Sequence, residues 1–402
     1  MKKTLLLLLF SLVFASCNKN SSSTNSTIKF WNFGSEPAQK QALKELIAAF
    51  EKQEHCTVET TELSWNDGKT KLMAAFNSGT APDVLELGSD WVAQFSSSGV
   101  LMELPKDSTF EKFAEFARPP ALWQSKVYAY PWTVDTRVMF CNNELLKKAG
   151  VTSIPKTVSE LIAACEKLQA IEGIYPFGAN GDDKHRLYKK ILPFMWSNGG
   201  DIVSAAGKPT LNSPENVEAL NAYITLSRMG IIETQRQLDV AFTQGKVGFW
   251  FSGGWLMEKI KQGNPTLDYS VALVPGMKQA GISFAGGEYV AINAKTQQAE
   301  LARKFMKYIT DGKTSMEYCK KVNEAGFPAD KQYYNDPYFK SVKHKSTFAE
   351  QLAAARMTPV HAQWLDLEAL LENAVVEALY GTKSSQGALG DAQAEAAAKI
   401  GQ

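Results

Sequence analysis

From residue 28 the chain alternates strand-type and helix-type patterns, and that alternation limits the folds open to it. Ile28 to Phe33 is rich in β-formers. Behind it Leu43, Leu46, Ile47 and Phe50 recur at helical spacing, with Ser35 as the expected cap. Thr57 to Leu63 is a second strand, followed by a helix with Leu72, Ala75 and Phe76 on one face. Gly79 closes that helix, with Pro82 just beyond. Val84 to Leu87 reads as a third strand, and Trp91, Val92 and Phe95 begin another helix. Strands separated by helices imply a mainly parallel sheet covered on both faces. Ligands of such sheets bind beyond the carboxyl ends of the strands. The segments at those ends are Asn32-Phe33-Gly34-Ser35-Glu36, Ser64-Trp65-Asn66-Asp67 and Gly88-Ser89-Asp90-Trp91.

A second α/β region starts near residue 136. Thr157-x-x-Glu160 forms a capping box, with Leu161, Cys165 and Leu168 on one face of the helix it opens. Ser213-Pro214 opens another helix with Val217, Leu220 and Ile224 as its buried stripe and Gly230 as its stop. Val247 to Ser252 reads as a buried strand running into Gly253-Gly254-Trp255 and a helix start. The pattern returns to strand near Gly286, then to a helix with Leu301, Phe305 and Tyr308 on one face. The tail from Gln363 is helical and Ala-rich, broken between Gly381 and Gly387.

The first residues address the chain out of the cytoplasm. Lys2 and Lys3, the apolar run Leu5 to Phe14 and the small pair Ala15-Ser16 follow the order of a secretory signal. The apolar run is shorter than the roughly 20 residues a spanning helix needs. Cys17, directly after the small pair, resembles the lipobox cysteine of bacterial lipoproteins, which is lipidated as the signal is cut. The alternative is an ordinary cleavable signal with a cysteine nearby. Asn18 to Thr27 is rich in Ser, Asn and Thr and has nothing large to bury, so it reads as a flexible tether to a membrane. Without residues 1–16, Lys+Arg falls from 43 to 41 against 42 acids, which argues against nucleic-acid partners and polybasic adhesion to lipid. The 386 residues left suit two domains better than one core. Cys56, Cys141, Cys165 and Cys319 lack metal-ligand spacing. Cys165 reads as a small buried hydrophobe, and one disulfide among the four is open from sequence.

Taken in order, these segments resemble the extracellular solute-binding proteins of bacterial ABC importers, of the sugar-binding kind related to maltodextrin-binding proteins. The resemblance rests on Gly79-Thr80-Ala81-Pro82-Asp83-Val84, Tyr128-Ala129-Tyr130-Pro131, Asp135-Thr136-Arg137 and the run Cys141 to Gly150. It continues through Pro155-Lys156-Thr157, Phe242-x-x-Gly245-Lys246-Val247, Gly253-Gly254-Trp255, Gly286-Gly287, Gly326-Phe327-Pro328 and Arg356-Met357-Thr358-Pro359. It implies an α/β, two-lobed periplasmic-binding-protein-like fold of type II with the ligand in the cleft between lobes. The expected lobes are residues 28–134 with 286–332, and 135–285 with 333–402, crossing near 130–136 and 283–290. The implied partners are a small carbohydrate and the importer's permease subunits. A monomer without cofactor or metal is expected, held at the outer face of a membrane or in the periplasm through its lipid.

Sugar sites pair aromatic faces with fixed polar partners. Of nine Trp, Trp31, Trp196 and Trp250 lie in apolar runs and read as core, as does Trp364 on its helix pattern. Trp65 has polar neighbours and reads equally as a stacking residue; Trp255 follows the Gly-Gly pair. Glu36 either meets ligand or complements a helix dipole. Asp90 reads as a helix cap or a ligand contact. Asp135 and Arg356 match ligand-reaching positions in the resembled family, with an inter-helix ion pair as the alternative for Arg356. Gly253 would let a ligand approach backbone donors at a helix start. Glu288 stands where relatives place an aromatic residue and reads as a hydroxyl acceptor. Acidic and aromatic candidates outnumber basic ones, which points to a neutral sugar. No HExxH, GxSxG or P-loop pattern is present, and Asp182-Asp183 reads as a solvated loop. An enzyme is therefore not expected. A secreted glycoside-active enzyme, whose carboxylates can lie anywhere in sequence, and a sensory binding protein for a receptor kinase are the alternatives. Turnover of oligosaccharides would separate the first, and a neighbouring permease or kinase gene the second.

Overall fold

The strand Thr27–Asn32 pairs in parallel with Thr57–Glu62 on one side and with Val84–Gly88 on the other, as the opening alternation requires. In the computed structural model, which describes residues 26–400 except residue 182, these are three of the seven strands of a larger sheet. Its order is Phe327–Pro328, Ala129–Thr136, Ser283–Ile292, Val84–Gly88, Thr27–Asn32, Thr57–Glu62, with Ala355–Arg356 beside Ser283 and Phe284. The signal, Cys17 and the tether up to residue 25 lie outside the described residues.

A mainly parallel sheet was the expectation, and the sheet is mixed. Ser283–Ile292 runs antiparallel to both Val84–Gly88 and Ala129–Thr136. Its direction follows from its path: it enters the sheet from the second lobe rather than through a crossover helix. The second sheet repeats the arrangement, in the order Tyr269–Ala272, Val138–Asn142, Val247–Ser252, Tyr175–Asn180, Ile231–Glu233. Its last three strands pair in parallel, and the other pairings are antiparallel.

The helices form where the apolar spacing places them. The helix Pro37–Glu54 buries Leu43, Leu46, Ile47 and Phe50. Its cap is Glu36 rather than Ser35: Glu36 and Gln39 satisfy each other's backbone N–H groups, which Ser35, one residue earlier, is not placed to do. Gly79 ends its helix at φ 73°, a conformation that suits a residue without Cβ. Thr157 and Glu160 form the anticipated capping box, and Leu161, Cys165 and Leu168 are buried beneath it. The C-terminal helices Trp364–Leu379 and Ser385–Ile400 part at residues 380–384, slightly earlier than the glycines indicate. All four described cysteines are buried and unpaired.

Each sheet carries its own aromatic core. Phe30, Phe50 and Phe305 meet edge to face, with centroids 5.1 Å apart in both contacts to Phe305. In the second lobe Phe177, Phe194, Tyr223 and Phe251 do the same work. Truncating one such ring to Ala typically costs about 3–5 kcal/mol. The backbone leaves the first sheet at Thr136 and enters the second at Val138, so Arg137 alone spans that crossing.

Candidate ligand-binding site

The carboxyl ends of the first three strands converge on an aromatic cluster. Trp65, in the loop after Thr57–Glu62, stacks on Phe33 with centroids 4.2 Å apart and planes 22° from parallel. Trp91 tilts against it at 5.4 Å. Trp65 is half-buried and Trp91 buried.

The crossing strand Ser283–Ile292 brings carboxylates to the same place. Glu288 lies opposite Gly88 on one side and Thr133 on the other, and accepts the Thr133 hydroxyl proton. Glu86, two residues before Gly88, points from the same face and accepts the Phe33 N–H at 2.9 Å. Burial, and then the Glu288 charge, hold the Glu86 carboxyl up at about 8. Burial and then Asp135 lift Glu288 to about 7. Asp135 itself accepts from Arg137 Nη1 at 2.7 Å. A Cβ at Gly286 would stand 2.7 Å from Asp135 Oδ1, which is why glycine opposes it.

Arg137 is the floor where the lobes join. Its guanidinium lies 5.0 Å from the ring centroids of both Trp255 and Phe284. Trp255 is fixed by Asp239, a fully buried carboxylate in the second lobe. Asp239 accepts from Trp255 Nε1 at 3.1 Å, Trp250 Nε1 at 2.9 Å, Ser252 Oγ at 3.1 Å and Lys259 Nζ at 2.9 Å. Hydrogen bonding through its one donor in this way fixes the orientation of the indole.

Two hydrogen bonds reach across from the second lobe. Tyr188, first residue of a helix, donates to Asp90 Oδ2 at 3.0 Å, and Arg186 donates to Asn66 Oδ1 at 3.3 Å. The turn carrying them is held from the helix Trp364–Leu379. Glu372 accepts the His185 and Tyr188 N–H groups at 3.0 and 3.2 Å, and Glu368 meets His185 Nδ1. Burial and the adjacent Glu368 raise Glu372 to about 7.

The eight sequence candidates fare differently. Trp65, Asp90, Asp135, Trp255 and Glu288 converge around the crossing. Asp90 caps no helix: the next helix has Trp91 at its cap, and the Asp90 carboxylate turns to Tyr188 instead. Gly253 does not open a way to its backbone, because a Cβ there would meet the Trp255 ring at 2.0 Å. Trp255 occupies the room the glycine makes. Glu36 is exposed at its helix start, serving the capping box. Arg356 pairs with Asp201 at 2.6 Å and lies over Trp196 at 5.1 Å. Trp31 is half-buried, while Trp196, Trp250 and Trp364 are buried. Asp182 lies outside the described residues. Asp183 is not a solvated loop acid: it accepts from Asn180 Nδ2 at 3.2 Å and Gln235 N at 2.8 Å.

Glu86, Tyr188 and Asp239 escaped the sequence reading, and Arg137 entered it only as a neighbour of Asp135. Glu86 did leave a signal, as one acid inside the otherwise apolar run Val84 to Leu87. Lys69 and Lys189 were also missed; both stand beside this cluster. Among the described residues no group of three or more His, Cys, Asp and Glu side chains is arranged to hold a metal ion. No helix among them is long and apolar enough to cross a membrane.

Residues 34–313, more than half of the chain, match the model for bacterial extracellular solute-binding proteins. The chain belongs to that family. Among solute-binding proteins with an established name, it is 28% identical over 301 residues to the diacetylchitobiose-binding protein DasA of Streptomyces coelicolor, covering 70% of this chain and 68% of that one. It is 25% identical over 361 residues to the galactooligosaccharide-binding protein of Bacillus subtilis, covering 86% and 82%. Its fold matches the crystal structure of an ABC transporter solute-binding protein of Thermotoga lettingae bound with α-D-tagatose. The TM-score is 0.83 at 22% identity, covering 92% of this chain and 99% of that one. The two-lobed type II arrangement is thus shared, and these relatives are named for binding rather than catalysis.

Proposed function

We propose that this solute-binding protein captures a saccharide between its lobes and delivers it to the permease of an ABC importer. The observation that carries the reading is the meeting of Asp90 and Tyr188 across the two lobes at 3.0 Å. Aromatic faces for C–H surfaces and flanking carboxylates for hydroxyls are what sugar recognition asks for. The names of the relatives, which bind diacetylchitobiose and galactooligosaccharide, support the same class.

The ligand contacts in this reading are Trp65, Asp90, Asp135, Trp255 and Glu288, with Glu36 and Arg356 at the margin. The lobes divide as residues 28–134 with 286–332 and 135–285 with 333–402. Closure follows if the saccharide touches both lobes, because only differential contact shifts the equilibrium. Lys2 to Ser16 serves as a signal and Cys17 as the lipidated residue that leashes a monomer outside the cytoplasm.

A thermal-shift screen of mono- and oligosaccharides tests the class, since a ligand of the folded state alone raises apparent stability. A saccharide that stabilises the protein in a dose-dependent way is expected. A broad panel that leaves the melt unmoved while amino acids or peptides raise it would overturn the reading.

A further inference from the structure

Both hydrogen bonds that tie the Trp65 and Asp90 loops to the other lobe end on one turn. Arg186 donates to Asn66, the residue after Trp65, at 3.3 Å, and Tyr188 donates to Asp90 at 3.0 Å. The second bond also starts beside Trp65: a Cβ built at Gly88 would lie 2.8 Å from Asp90 Oδ1 and 3.6 Å from the Trp65 ring. The turn is held from behind. Glu368 and Glu372 meet His185 and the Tyr188 N–H, and the Tyr188 ring stands edge-on to Phe284 and Trp364 at 5.7 and 5.5 Å. Lys69, from the helix Gly68–Ser78 of the first lobe and 9% exposed, faces Glu368, Asp366 and Glu372 of the second. Protein therefore joins protein across the lobes beside Trp65.

The Trp255 side is built differently. Glu258 lies one turn along the helix Trp255–Gly263, on the face that carries Trp255. Glu324 of the first lobe feels the charges of Glu36, Glu258 and Lys259, so these groups from both lobes face one place. Among the described residues no hydrogen bond or ion pair joins Glu36 or Glu324 to Glu258 or Lys259. Lys259 turns to Asp239 at 2.9 Å, and Glu258 pairs within its own helix with Lys261 at 3.8 Å. The Glu36, Glu258 and Glu324 carboxylates repel one another, and the ammonium among them is spent on Asp239.

We propose that the saccharide site is walled at its Trp65 end and open at its Trp255 end, so that the protein takes a linear saccharide by one chain end. The proposal rests on the saccharide reading above and narrows its class. A sugar unit packed on Trp65 has the Asn66–Arg186 and Asp90–Tyr188 bonds beside it. A further unit on that side would have to break both bonds and displace a turn fixed by two carboxylates. No such bond has to break beside Trp255, where the hydroxyls of a longer chain meet the Glu36, Glu258 and Glu324 carboxylates. Specificity of this kind comes from a built-in clash as much as from attraction.

The test is calorimetric titration with linear malto-, chito- and galacto-oligosaccharides. Each parent is compared with one copy carrying a bulky blocking group at the reducing end and one carrying it at the non-reducing end. For every parent that binds, one blocked copy should bind like the parent and the other at least about tenfold more weakly. Arg186→Ala, which removes a half-buried member of the wall, should shrink that ratio in a protein that stays folded. Two blocked copies that both bind like the parent, or that both lose affinity, overturn the proposal and leave the saccharide reading standing. A ratio that the folded Arg186→Ala variant leaves unmoved overturns the assignment of the wall to this turn. If no parent binds, the saccharide reading falls, and this proposal with it.

Discussion

Glu86→Gln should flatten the pH dependence of stability without disturbing the fold. Glu86 is 3% exposed, its oxygen bonded only to the Phe33 N–H, and its carboxyl held up at about 8 by burial and Glu288. In the unfolded chain the group titrates at its ordinary value of about 4.5. Between those values the folded state binds the extra proton, so stability is fullest below about pH 4.5 and is lost as pH rises through about 8. A tenfold difference in proton affinity between the folded and unfolded chain is worth about 1.4 kcal/mol, so the wild type should lose on the order of 2–3 kcal/mol through Glu86 between about pH 6 and pH 9. Glutamine keeps the shape and the acceptor for Phe33 and cannot ionise. Urea unfolding of both proteins across that range is the assay, and the variant should fall less steeply by that amount. Parallel curves for the two proteins would refute the argument that Glu86 is held protonated.

Three further perturbations follow from the same geometry. Asp239→Ala strands the buried donors of Trp250 and Ser252 and the half-buried Trp255, and should cost about 3–5 kcal/mol in chemical denaturation; a cost under about 1 kcal/mol would show that water replaces the carboxylate. Tyr188→Phe deletes the bond to Asp90 and should weaken saccharide binding by about 0.5–1.5 kcal/mol, read by calorimetry, with near-normal melting; unchanged affinity would mean the contact is irrelevant to the closed form. Cys17→Ser should release the protein from membranes into the soluble extracytoplasmic fraction, and firm membrane retention on fractionation would refute the lipid tether.

The sequence carried the fold well because the apolar spacing is strong. The stripes at Leu43 to Phe50 and at Leu161 to Leu168 are buried as anticipated, and the parallel start of the first sheet is a local strand-helix-strand matter. The antiparallel strand Ser283–Ile292 was beyond local pattern, since its direction is set by pairing with residues far away in sequence. The site was legible where loops at strand ends advertise themselves, as at Trp65 and Asp90. It was illegible where side chains act through long-range partners. Asp239 looks like an ordinary helix residue until two indoles turn to it, and Tyr188 looks like core until Asp90 arrives from the other lobe. Arg137 was in view beside Asp135, but only the fold shows it between two aromatic rings at the crossing.

The central claim is that one saccharide is held between rings from opposite lobes. Calorimetric titration of a single binding saccharide against wild type, Trp65→Ala and Trp255→Ala tests it most directly, with thermal melts alongside. Each variant should bind more weakly by about 1–3 kcal/mol, as when a buried aromatic anchor is truncated, while the protein remains folded. Wild-type affinity in either folded variant would contradict a site built between the two rings.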